Sequence, residues 1–267
     1  MNKTLFVTGA TRNTGLAIAR RFAADGWNVI VSSRRAADAE KTAGELGAEF
    51  PGVETLGVGM DPARTEDIRG AFAAIAARFG RLDAFVNCAA HLGVGLSVFS
   101  TKPEDYNAVM DANVKGPLFA AQAAQALMTA GGSIVFISSC HAKGSVPGRL
   151  CYTVSKAAIG GLTRSLAVEL GHRAITVNAI LAGAIRTDRW DPLTDEQIAE
   201  RRRRWPTGKE STGDDIAAAV AYLCSDAART VTGTEIPVDS GVGACLLQYK
   251  PDWVENDTYN VKYWEKK

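Results

Sequence analysis

Leu5-Phe6-Val7-Thr8-Gly9-Ala10-Thr11-Arg12-Asn13-Thr14-Gly15, followed by LAIARRFAADG, decides how the rest of the chain is read. Three apolar residues make a buried strand, glycines and an asparagine make a turn, and the run that follows carries apolar residues at helical spacing. Strand, glycine turn and helix together are the context in which a Gly-rich loop holds a dinucleotide. Glycine lets the backbone approach a pyrophosphate, and the helix N-terminus offers unpaired N–H groups and a partial positive charge. The spacing is Gly9-xxx-Asn13-x-Gly15, with asparagine where a middle glycine is expected. Asparagine tolerates left-handed backbone angles better than most residues, so the turn survives the exchange. A tight turn with no ligand is the plainer reading of this segment taken alone.

The same alternation continues. Residues 28–33 form a second strand that exits through Ser33 and Arg34. At this exit an acidic residue selects NAD through the ribose 2′-hydroxyl, whereas an arginine accommodates the 2′-phosphate of NADP. No carboxylate stands there, and Arg12 in the glycine turn can reach the same phosphate from the other side, so the pair favours NADP(H). Residues 53–60 read as a third strand, followed by Asp61 at a place suited to cap an adenine pocket. A helix over residues 65–79 is expected, with Thr65 as its N-cap. A fourth strand over 82–90 ends in Asn87 and small residues, where a flat ligand can lie close. His91 follows, and a lone histidine is by default a hydrogen-bonded structural residue. A long helical pattern over 103–129 contains Asn113 beside Gly116-Pro117, which predicts a kink whose freed backbone groups can hold water.

A fifth strand over 134–138 runs into Ser139, with His141 two residues on and able to face a substrate. Next comes Tyr152-Thr153-Val154-Ser155-Lys156 at the start of a helix, placing Tyr152 and Lys156 on one face at i and i+4. A phenol with a reference pKa near ~10 is a poor acid or base at neutral pH, and a neighbouring ammonium is expected to lower it. YxxxK by itself is common and is usually a solvated pair. A sixth strand over 174–180 leads to the loop Ala182-Gly183-Ala184-Ile185-Arg186-Thr187, able to offer backbone groups to a carboxamide. Residues 188–212 are polar and include Arg201 to Arg204; a solvated helical face and a mobile lid over the substrate both fit. A last helix runs from residue 213 to 224, and a seventh strand over 235–239 carries a proline, which suits an edge.

Taken together, these motifs closely resemble the short-chain dehydrogenase/reductase family over nearly all of residues 3–243. The family's TGxxxGxG loop appears here as Thr8 to Gly15, its NNAG segment as Asn87-Cys88-Ala89-Ala90, and its PG motif as Ala182-Gly183. The resemblance implies a catalytic tetrad of Asn113, Ser139, Tyr152 and Lys156. It implies cofactor contacts from Gly9, Thr11, Arg12, Asn13, Thr14, Gly15, Ser33, Arg34, Asp61, Asn87, Tyr152, Lys156, Gly183, Ile185 and Thr187. Substrate contacts are expected from Ser139, His141 and His91. The fold implied is α/β: a single Rossmann-like domain over residues 1–267, with a doubly wound parallel sheet of about seven strands and helices on both faces. The activity implied is NADP(H)-dependent interconversion of a secondary alcohol and a ketone. A 3-oxoacyl thioester reductase on the same site and a non-catalytic NADPH-binding protein are the alternatives; the whole tetrad speaks against the last.

Bulk properties narrow the partners. A formal charge of +1 over 267 residues gives no electrostatic case for nucleic acid or an acidic membrane surface. No apolar run approaches the ~18 residues that span a bilayer, and the N-terminus runs straight into the first strand. The cysteines lack CxxC spacing, which suggests reduced thiols in a cytoplasm, and the histidines lack metal-ligand spacing. A segment over residues 244–267, rich in aromatics and charge, is expected to pack over the site or onto a neighbouring subunit of a homodimer or homotetramer.

Overall fold

A computed structural model of the chain describes residues 2–129 and 131–245. Strand and helix alternate as β1 (Thr4–Val7), α1 (Asn13–Ala24), β2 (Asn28–Ser33), α2 (Ala36–Glu49), β3 (Thr55–Gly59), α3 (Thr65–Phe79) and β4 (Ala84–Asn87). The second half runs α4 (Pro103–Met110), α5 (Gly116–Leu127), β5 (Gly132–Ile137), α6 (Leu150–Leu170), β6 (Ile175–Ala182), α7 (Asp195–Arg202), α8 (Gly213–Leu223) and β7 (Glu235–Val238). The seven strands form one parallel sheet in the order β3-β2-β1-β4-β5-β6-β7. The order reverses between β1 and β4, and in such sheets the crevice beyond the strand C-termini at this switch point is where ligands bind.

Helices cover both faces, so the central strands are buried on each side and read as continuous apolar runs with no polar alternation. On one face Phe6, Phe72 and Phe85 pack with Ile75 of α3, Ala121 of α5 and Ile159 of α6. On the other, Val7, Val29 and Val86 pack with Ile18 and Phe22 of α1, Leu46 of α2 and Ile216 and Val220 of α8.

Two local expectations are corrected. Thr65 is the first residue of α3, not its cap: its hydroxyl bonds Glu66 Oε1 at 3.2 Å, and Arg64 takes the N-cap position. The helix expected over 103–129 is three pieces, because residues Asp111–Lys115 wind as a π segment between α4 and α5. Gly116 sits against the Pro62 carbonyl, where a Cβ would overlap that oxygen. Pro117 follows as the second residue of α5, in helical backbone that continues from the π segment.

β7 pairs only with β6 among the described strands. Ala179 N–H bonds Thr234 O, and Gly183 N–H bonds Val238 O, so the even-numbered residues of β7 turn their backbone groups toward β6. Glu235 and Pro237 therefore turn theirs to the outer edge. All five cysteines are free. Among the described residues no helix is long and apolar enough to cross a membrane, and no cluster of His, Cys, Asp and Glu has metal-binding geometry. Residues 246–267, with the aromatic segment read from the sequence, lie outside the described residues.

Candidate active site

The glycine turn joins β1 to α1 at the switch point. Gly9 has φ +64° and Asn13 φ +49°, so asparagine does occupy a left-handed position. A Cβ on Gly15 would overlap the Gly9 carbonyl, and one on Gly9 would press on the Ala89 backbone. Thr8 Oγ1 accepts the N–H groups of Cys88 (3.0 Å) and Ala89 (3.1 Å), fastening the turn to the end of β4. That bracing is done by the backbone donors of Cys88 and Ala89, so it does not draw on the side chain at position 88. The N-terminus of α1 has no side-chain cap and no acidic residue in its first turn. Uncapped amides and a closely approachable backbone fit a dinucleotide pyrophosphate.

Ser33 and Arg34 leave β2 beside this turn, and Asp61 leaves β3, its Oδ1 accepting the Ala63 N–H at 3.0 Å. Arg12 pairs with Asp188 at 3.3 Å, and Asn13 Oδ1 accepts the Asp188 N–H, also at 3.3 Å. The glycine turn is thus tied to the start of the 188–212 segment.

Ser139, Tyr152 and Lys156 meet beyond β5. Ser139 Oγ accepts the His141 N–H at 3.2 Å. Lys156 is 4% exposed, donates to Ile137 O at 2.8 Å, and holds Nζ 5.6 Å from the Tyr152 ring centroid. Asn113 is clamped by His91, whose N–H donates to Oδ1 at 2.7 Å and whose carbonyl accepts from Nδ2 at 2.8 Å. The Asn113 amide also donates to Ser155 Oγ at 3.0 Å, and Ser155 in turn donates to Tyr152 O at 2.8 Å. The π segment is therefore bonded to the helix that carries the tyrosine and lysine. His91 is exposed, and its Nδ1 accepts the Gly93 N–H at 3.2 Å.

Charge at the site differs from the sequence expectation. Burial pushes the Tyr152 phenol up, with Ser139, Arg149 and Arg189 opposing it. The ammonium of Lys156 is itself driven down to about 8 by burial. Lys156 Nζ gives one of its three N–H donors to the Ile137 carbonyl. At neutral pH Tyr152 is a neutral acid with a proton to give. Burial raises Cys88 to about 11, against the opposing charge of Lys156, so its thiol stays neutral. His141 meets Tyr152 edge-on at 5.7 Å between centroids. Its Nδ1 is buried without a hydrogen-bond partner among the described residues, and burial and then Arg149 lower its pKa.

Gly183, Ile185 and Thr187 line the loop after β6. A Cβ on Gly183 would overlap Asp239, and Ile185 pairs with Ser211 in a short bridge. Between them lies α7, closed by a Thr194–Gln197 capping box. Trp190 and Trp205 pack at 5.7 Å, and both are buried. Glu210 receives a bidentate Arg202 fork at 2.6 Å and 2.6 Å, with Arg186 at 3.5 Å. Those bonds, with burial opposing, bring its pKa down to about 2. Of the four arginines, Arg203 and Arg204 pair with Glu200 as a solvated helical face does. Sequence reading missed Arg149, Arg189 and Glu210. Only Arg149, three residues before Tyr152, offered a positional signal.

A switch-point glycine turn beside a half-buried tyrosine and a buried serine and lysine defines a dinucleotide-binding oxidoreductase. The comparisons make the class specific. Residues 9–243 match a family model described as enoyl-(acyl carrier protein) reductase. The chain is 34% identical over 245 residues to a 3-oxoacyl-[acyl-carrier-protein] reductase FabG of Staphylococcus aureus, covering 91% of this chain and 98% of that one. Among solved structures, a blue fluorescent protein from a metagenomic library, in complex with NADPH, shares 35% identity with a TM-score of 0.82 over 90% of this chain and 97% of its own. A short-chain dehydrogenase from Burkholderia cenocepacia, in complex with NADP, shares 34% with a TM-score of 0.82 over 90% and 97%. The chain belongs to the short-chain dehydrogenase/reductase family.

Proposed function

We propose that this chain reduces a ketone to a secondary alcohol, and runs the reverse, with NADP(H) as cofactor and Tyr152 as general acid/base. The observation that carries it is the half-buried Tyr152 phenol set between Ser139 and the buried Lys156 at the C-terminal edge of the sheet. NADP(H) is supported by Arg12 and Arg34 with no carboxylate at the β2 exit, and by similarity to two proteins solved with NADPH and NADP. When bound, the nicotinamide supplies or accepts the hydride.

Gly9, Thr11, Asn13, Thr14 and Gly15 hold the pyrophosphate; Arg12, Ser33 and Arg34 hold the 2′-phosphate; Asp61 and Asn87 border the adenosine half. Gly183, Ile185 and Thr187 hold the carboxamide, and Lys156 turns to the ribose hydroxyls. Ser139 donates a hydrogen bond to the substrate oxygen, and Tyr152 delivers its proton there. Asn113, braced on His91 and Ser155, holds the water that refills this proton by way of Lys156. Residues 188–212 act as the lid, with His141 facing the substrate. The working assembly is a homodimer or homotetramer, and the free cysteines suit a reducing cytoplasm.

Tyr152→Phe tests this: turnover falls at least ~100-fold while NADPH affinity stays within a few-fold. Normal turnover in that variant refutes it. The second reading, a 3-oxoacyl thioester reductase, is favoured by the 34% identity to the Staphylococcus aureus enzyme. Rates on acyl thioesters against small ketones and sugars separate the two.

A further inference from the structure

The turn that carries Ser139 and His141 is bonded almost wholly to itself. His141 N–H donates to Ser139 Oγ at 3.2 Å and Ala142 N–H to Ser139 O at 2.8 Å. The N–H groups of Lys143 and Gly144 share Cys140 O, at 3.0 Å and 3.2 Å. Residues 139–144 are thereby stitched into one unit, which carries Ser139 Oγ and the imidazole of His141. It is fixed at its start, because Ser138 N–H donates to Ile180 O at 2.8 Å and Ser138 Oγ to Lys156 O at 3.2 Å. For residues 140–144, the only hydrogen bond among the described residues that leaves the turn runs from Lys143 Nζ to Glu235 Oε2 of β7, at 2.6 Å.

The acceptor of that bond is held far more firmly than its donor. The Glu235 side chain is 11% exposed, whereas that of Lys143 is 57% exposed. Its carboxylate lies against α6 at Gly160, where a Cβ would overlap Oε1, and Arg164 of the same helix stands at 3.7 Å. Glu235 is therefore a post set in the sheet, and the long lysine side chain is a strap thrown across to it. An isolated pair with one exposed partner adds little to stability and gives up lysine rotamer freedom. What the strap fixes is orientation. It sets the tilt of the turn about Ser138, and with it the place of Ser139 Oγ and of the His141 ring, which meets Tyr152 at 5.7 Å between centroids.

Resting on the ketone-reductase reading above, we propose that Lys143 and Glu235 are positioning residues that act through the 139–144 turn to hold Ser139 and His141 for the substrate. They touch neither substrate nor cofactor themselves. A displacement of about 1 Å at a group that must meet the reacting oxygen costs up to ~100-fold in rate, and a turn still pinned at Ser138 should lose less, ~5–30-fold.

Hydrogen–deuterium exchange of the full chain reads the turn directly, with no substrate needed. Lys143→Met and, separately, Glu235→Gln should each speed exchange of the 140–144 amides by ~5-fold or more, with β5 and the body of α6 unmoved. NADPH consumption with ethyl acetoacetate, acetoacetyl-coenzyme A and dihydroxyacetone reads the consequence. On a ketone that the native chain reduces, each variant should lose ~5–30-fold in kcat, with NADPH affinity held within about twofold. The double variant should lose no more than either single one, because both cut the same strap. Lys143→Arg keeps a cation within reach of the carboxylate and should bring kcat back to within about threefold of native. Glu235→Gln leaves Lys143 charged, so normal turnover there beside a slow Lys143→Met would mean that Lys143 meets the substrate itself, and overturns the proposal. Exchange of residues 140–144 unmoved in both variants overturns it too, as does an Arg164→Gln effect as large as that of Lys143→Met. A native chain that binds NADPH yet consumes none with any probe overturns the reductase reading, while the exchange comparison still decides the strap.

Discussion

Replacing Asn13 by alanine and by glycine isolates the physics of the pyrophosphate turn. Asn13 stands at φ +49°, and its side chain accepts the Asp188 N–H at 3.3 Å. A Cβ-bearing residue with no polar side chain loses roughly 1–2 kcal/mol in the left-handed region, of which asparagine recovers a part. The long, partly exposed hydrogen bond to Asp188 adds about 0.5 kcal/mol. Asn13→Ala is therefore expected to cost about 1–2 kcal/mol, a fall in Tm of roughly 2–6 °C for a chain of this size. Asn13→Gly loses the same hydrogen bond and about 0.5–1 kcal/mol through the freer unfolded chain, yet relieves the backbone. The stability order is then asparagine, glycine, alanine, with NADPH affinity following the same order. Thermal unfolding by circular dichroism, with NADPH titration followed by fluorescence, reads both. An alanine variant as stable as the native chain, or more stable than the glycine one, refutes the reasoning.

Glu210 gives a second handle on the lid. Its pKa lies near 2 against an ordinary 4.5, so the stability it contributes is complete above 4.5 and is lost as pH falls through that window toward 2. Glu210→Gln should flatten that acid limb in melts from pH ~5 to ~2 and should raise KM more than it lowers kcat; an unchanged limb would show that the Arg202 fork is not held in solution. Lys156 acts in the opposite range. Its folded value near 8 lies below the ordinary 10.5, so the unfolded chain binds the proton more tightly and stability rises with pH from 8 upward. Lys156→Met should remove that rise, and a variant profile parallel to the native one between pH ~8 and ~10 would contradict the buried ammonium. Raised Tyr152 works with the reverse sign above its ordinary 10, which leaves the lower half of the window clean.

The sheet was legible because burial on both faces leaves uninterrupted apolar runs such as Leu5-Phe6-Val7 and Ile134-Val135-Phe136, each ended by polar or small residues. Tyr152 and Lys156 were legible because helical spacing alone puts them on one face. The kink at Asn113 could be inferred from Gly116-Pro117, but its π winding could not, nor could the close approach of the Pro62 carbonyl that leaves room only for a glycine at 116. The protonation of the site was misread for a related reason. Spacing tells how near the ammonium lies to the phenol, whereas depth tells which of them keeps its charge, and depth is a property of the packed sheet. Glu210 escaped notice because, in a polar segment, only the folded partners distinguish a gripped carboxylate from a solvated one.

Pro237 has a bearing on how this protein behaves when crowded. Its backbone nitrogen faces outward from β7, so the outermost row of that strand lacks one donor. A foreign strand trying to add itself there would find its ladder broken after a single residue. Protection against sheet-to-sheet stickiness is in this way written into the edge by one imino acid, at no cost to the bonds that β7 makes with β6.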